Sequence, residues 1–192
     1  EAPEEDLSAV LARLLEKEIS FYSHPRWKVA WDLIHDQNYG EWSQSDLELL
    51  AAFFEENRDF ILDVRRLANA SDPFYTLDYS MGHEMNLMHL ARIRMFARAL
   101  GADAVLAANR GDYGEMMSNL DAIARFSEMT RQDPIVVSQL VSMAVSGIAH
   151  TVVERALWGG DLPPAVAAQI MRRFPAFPND SVFADSLTVE GL

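Results

Sequence analysis

The chain has 192 residues, 49% of them apolar, no cysteine and a net charge of −13. That length and apolar content fit one globular domain with a sizeable core and exclude a disordered chain. The acidity disfavours nucleic acids and anionic membrane surfaces, which are held by Lys and Arg, and the missing thiols exclude disulfides, cysteine nucleophiles and Cys-based zinc sites.

The charge is uneven: residues 1–83 hold 17 acids and 7 bases, residues 84–192 hold 12 and 9. The chain opens on Glu1 rather than Met. That start suggests a processed or a trimmed chain, so any targeting segment would already be gone. A segment of a longer exported protein, extracytoplasmic in location, is the expectation, with a cytoplasmic location as the alternative.

Helical periodicity then runs from end to end. Residues 5–20 place Leu7, Val10, Leu11, Leu14, Leu15 and Ile19 on one stripe. Pro25 interrupts, and residues 26–34 form a short helix that buries Trp27, Ala30, Trp31 and Ile34. Ser45 is the expected N-cap of a long helix reaching Ala70, with Asp46 and Glu48 in the first turn where the helix dipole favours acids. Asn57 lies on its apolar stripe and reads as a satisfied core polar group. Residues 73–82 form an aromatic, irregular loop.

A long helix over about 83–109 follows. Alanines on more than one side of it predict close neighbours and a central position. The turn Gly111-Asp112-Tyr113-Gly114 leads into a helix ending near Arg131, and Asp133-Pro134 opens another that runs to Trp158. Its apolar residues (Val136, Val137, Leu140, Val141, Ala144, Val145, Ile148, Val152) predict contact on several sides, with Leu140 buried. The run Ile135–Ala149 is broken by serines and is shorter than the roughly 20 residues a bilayer span needs, so no transmembrane segment is expected. A last short helix reaches Phe174, and Ser181 caps a further turn. No segment alternates with period two.

The fold class predicted is therefore all-α: one domain of antiparallel helical hairpins stacked into a bundle or a short curved superhelix. Residues 107–134, with Ala107-Ala108-Asn109-Arg110-Gly111-Asp112-Tyr113 closing one helix and Asp133-Pro134 ending the next, resemble a tetratricopeptide-like hairpin. Met116 stands where that family usually has Ala, the closing proline comes late, and no second copy follows at that period. The stretch 77–157, including Ser138-Gln139-Leu140-Val141, is similar to a set of uncharacterised exported or membrane-anchored bacterial proteins. That resemblance implies a helical fold and a cell-envelope setting, and no reaction.

Two constellations bear on chemistry. His83 and His89 flank Glu84 but lie six residues apart, so they project away from each other, unlike the four-residue spacing of zinc proteases. His150 and Glu154 share a face that extends back through Ser146, Ser142 and Ser138. This ridge is either a polar groove, with His150 as acid–base or metal ligand, or a set of small residues for close helix packing with His150 and Glu154 at the solvated end. Catalytic, cofactor-binding and metal residues are not assigned, and the candidate binding residues are His83, Ser142, Ser146, His150 and Glu154. No cofactor is expected. The function expected is a non-catalytic protein- or peptide-binding or scaffold module of the bacterial cell envelope. The alternative is a small-molecule binder or enzyme with a pocket between the 73–82 loop and the helix over 134–158. No nucleic-acid partner is expected, and a homodimer through the C-terminal end near Val182, Phe183, Leu187 and Val189 is the assembly considered.

Overall fold

The computed structural model describes residues 7–23, 26–36, 42–70, 73–75, 77–78, 80–81, 85, 87–158 and 162–173. His83 and the stretch from Phe174 to Leu192, which holds the C-terminal apolar residues, lie outside them. The described residues form eight helices and no strand: α1 (Leu7–Ser23), α2 (Trp27–Asp36), α3 (Gln44–Glu56), α4 (Arg58–Ala68), α5 (Met88–Asn109), α6 (Tyr113–Arg131), α7 (Val136–Trp158) and α8 (Pro164–Arg173).

The expected single helix over 45–70 is two. It starts two residues earlier than expected, capped by Ser43 rather than Ser45, because Ser43 and Asp46 form a reciprocal capping box. It breaks at Asn57, whose Nδ2 donates to the Phe53 carbonyl at 2.7 Å while its backbone adopts φ −114°, ψ 25°. A short amide side chain that competes for the backbone acceptors favours a helix end over a helix interior. Asn57 is therefore the joint between α3 and α4, half-buried, rather than a core polar group.

The core of the bundle is α5. Ala97, Ala99, Gly101, Ala102, Ala104 and Ala107 are all buried, and their small side chains let α6 and α7 approach on two sides while α2, α3 and α4 touch it elsewhere. α5 begins at Met88, not near residue 83. The α5–α6 connection is short because Gly111 turns the chain at φ +75°, a conformation costly for any residue with a Cβ. Asp112 then caps α6 by accepting from the Glu115 amide at 3.0 Å. α5, α6 and α7 thus run up, down and up, which brings the C-terminal ends of α5 and α7 to the same end of the molecule.

Aromatic rings tie the layers together. Phe60 of α4 meets Phe96 of α5 edge-on with centroids 6.0 Å apart, Phe96 meets Phe126 of α6 at 6.0 Å, and Phe74 of the aromatic loop meets Phe126 at 6.4 Å. Tyr75 stacks on His89 at 3.9 Å.

Candidate functional site

The serine ridge of α7 is the α6–α7 seam. Ser127 of α6 donates to the Ser142 carbonyl at 3.1 Å, Ser142 Oγ returns the bond to the Ser127 carbonyl at 2.9 Å, and Ser127 Oγ lies 2.8 Å from Ser146 Oγ. Ser138 donates to Asp133 at 3.0 Å. The His150 ring Nδ1 meets the Ser146 carbonyl one turn back, at 2.8 Å, whereas Glu154 is exposed. Small hydroxyl residues here permit close helix approach and satisfy one another across the seam. Of the five candidate residues, the structure joins Ser142, Ser146 and His150 through that seam and leaves Glu154 at the surface.

The aromatic loop is tied to the start of α7. Tyr75 Oη donates to Asp133 Oδ2 at 3.0 Å and lies 3.3 Å from the Met129 carbonyl. Gln139 Nε2 donates to the Arg131 and Asp133 carbonyls. Burial raises the Asp133 carboxyl above its ordinary range, against the hydrogen bonds from Tyr75 and Ser138. Phe74 and Tyr75 thus anchor the described part of the loop against α6 and the start of α7.

Two ionic clusters fasten the N-terminal helices, and neither was visible in the sequence. Asp63, on the buried side of α4, receives Lys17 at 2.9 Å, Arg66 at 2.8 Å and Arg13 at 3.2 Å. Burial pushes this carboxyl up, and the three cations outweigh it and hold it below the ordinary carboxylate range. The second cluster joins three helices. Arg58 and Arg65 of α4 both pair with Glu115 of α6, Arg58 at 2.7 Å. Arg65 Nε donates to Asn119 at 2.7 Å, and Asn119 donates to Asp103 of α5 at 2.9 Å. Asp103 is fully buried, its Oδ1 has no hydrogen-bond partner, and Arg65 and Arg58 stand only 3.5 and 4.0 Å from its other oxygen. Burial consequently raises Asp103, while Glu115, also desolvated, is brought down by its two arginines. The clusters lock helices together.

The outer side of α7 is where the expectation fails most clearly. Val137, Leu140 and Met143 are 46%, 50% and 51% exposed, and Ala144 is exposed beside them. Leu140 is thus not a core residue. The opposite side, with Val141, Val145, Ile148 and Val152, is buried. Periodicity could not separate the two because apolar residues lie on both sides of the serine ridge of α7. The window Val136–Ala156, 21 residues at a mean hydropathy of 1.6, is long and apolar enough to cross a membrane by length and composition. The sequence reading stopped at Ala149. A core helix passes the same test, and α7 buries half of that window within the bundle through its contacts with α5 and α6.

A concavity of about 370 Å³ lies at the far end of α6 and α7 from the aromatic loop, lined by Val105, Ala108, Asn109, Arg110, Gly111, Tyr113, Arg155, Ala156 and Leu162. Among the described residues, no group of three or more His, Asp or Glu side chains is placed to hold a metal ion. No family model, curated protein sequence or solved structure matches the chain.

Proposed function

We propose that this chain is a non-catalytic protein- or peptide-binding module, built as a helical bundle that presents the outer face of α7. The observation that carries this reading is the row Val137, Leu140, Met143 and Ala144: four apolar side chains facing solvent on one helix, with no charge among them. Exposed apolar side chains that are contiguous on one element mark interaction surfaces more often than isolated ones do. The spacing suits an amphipathic segment that lays its own apolar face along the helix. Ser127, Ser142 and Asp103, meanwhile, are engaged in bonds between helices. The cell-envelope setting and the tetratricopeptide-like character of the α5–α6 hairpin rest on the sequence resemblances alone.

The test is site-specific photo-crosslinking in the cell that makes the protein. A photoreactive residue at Met143 should give a discrete adduct, the same residue at Ser118 of α6 should not, and Leu140→Glu should abolish the first adduct while helicity is retained. Equal labelling from both positions, or an adduct that survives Leu140→Glu, would sink the reading.

A further inference from the structure

The concavity between the α5–α6 turn and the last turn of α7 has the composition of a ligand pocket rather than a packing defect. Its volume, about 370 Å³, falls at the small end of ligand pockets, which run from about 300 to 1,000 Å³. Val105, Ala108, Ala156 and Leu162 give it apolar walls, and Arg110 and Arg155 supply two cations with no acid among the described residues of the lining. Arg58, Arg65 and Arg173, by contrast, all find carboxylates. Arg110 and Arg155 make no ion pair and no side-chain hydrogen bond among the described residues. The neighbouring concavity, on the other side of Tyr113, has its own arginine, Arg173, paired with Asp121.

Each guanidinium also sits at a helix C-terminus, where a cation offsets the dipole. That effect accounts for each arginine singly. It does not account for both lining one half-apolar concavity, open among the described residues, in a chain with 29 acids and 16 bases.

We propose that this pocket binds a carboxylate carried on a short apolar body, the carboxylate between Arg110 and Arg155 and the body against Val105, Ala108, Ala156 and Leu162. Guanidinium forks match the planar carboxylate, and the apolar walls select against a bare inorganic anion. The carboxylate can come from a free short-chain acid or from the C-terminus of a peptide ending in an apolar residue. The site is separate from the outer face of α7 and stands without it.

The experiment follows backbone amide shifts of Arg110, Gly111, Tyr113 and Arg155 in the full chain by NMR. Octanoate should shift them saturably in the millimolar range or below, and octanamide and inorganic phosphate should not. Arg155→Gln and Arg110→Gln should each weaken octanoate by about tenfold or more, the loss expected for one charge-assisted hydrogen bond. Arg155→Lys keeps a charge at the helix end, so it should keep the wild-type melting temperature and still lose affinity through the missing fork. A dipeptide ending in Leu is then compared as free acid and as amide. A free-acid peptide tighter than octanoate assigns the peptide source, and the reverse order assigns the free acid. No saturable shift, an octanamide or phosphate response equal to that of octanoate, or unchanged affinity in both glutamine variants would overturn the site.

Discussion

Asp103 is the residue whose surroundings are least symmetrical: a carboxyl of α5 with one oxygen bonded to Asn119 and the other buried without a donor. Because burial raises it, the folded state holds its proton more tightly than the unfolded chain does. The stability this contributes is full below its ordinary value of 3.8 and is lost as pH rises through the raised folded value. Glu115 has the opposite sign: its contribution is present above its ordinary value of 4.5 and is lost as pH falls through the depressed one. Urea unfolding of wild type and Asp103→Asn between about pH 4 and pH 7 should therefore show wild type losing ground steadily to the variant as pH rises. Parallel curves across that window would mean Asp103 titrates as in the unfolded chain. None of these partners could be paired from the sequence, since Arg65, Asp103 and Glu115 meet only once α4, α5 and α6 are packed. Each alone looks like an ordinary helical charge.

At the scale of elements, periodicity located the bodies of the helices because apolar residues three and four apart have one geometric explanation. α6 and α2 were legible almost to their ends, and the alanines of α5 marked it as central. Where single side chains decide, the pattern was silent. Asn57 splits a helix by one hydrogen bond to Phe53, and Ser43 displaces Ser45 as cap because Asp46 stands three residues after it. α7 shows the opposite failure: its polar ridge of small serines packs against α6 while apolar residues face outward, so its pattern does not say which side is covered. The two sides are separable by mutation. Ile148→Ala should cost about 2–5 kcal/mol, the loss of a buried side chain plus its cavity, whereas Leu140→Ala should cost less than about 1 kcal/mol. Similar losses at both positions in chemical denaturation would show that the outer face of α7 is covered in solution.

For the molecule as a whole, the question is whether α1–α4 and α5–α7 melt together. The contacts of α2, α3 and α4 with α5, the contact of α4 with α6, and the Arg58–Arg65–Asp103–Glu115 cluster all cross that seam. We expect one cooperative transition. Three of the four tryptophans, Trp27, Trp31 and Trp42, belong to the N-terminal part, so fluorescence weights that half while far-ultraviolet circular dichroism reports every helix. Coincident denaturation curves support a single unit, and an earlier fluorescence midpoint would divide the fold at α4. The alanine-lined α5 adds a constraint of another kind. An alanine side chain has no rotamers to freeze, so these positions of the most enclosed helix are ordered without a side-chain entropy cost. Yet any replacement at Ala97, Ala99, Ala102, Ala104 or Ala107 other than glycine must add volume where two helices already touch. Substitution along α5 is therefore limited by overlap, at a cost of roughly 1–3 kcal/mol wherever the neighbouring helix cannot move aside.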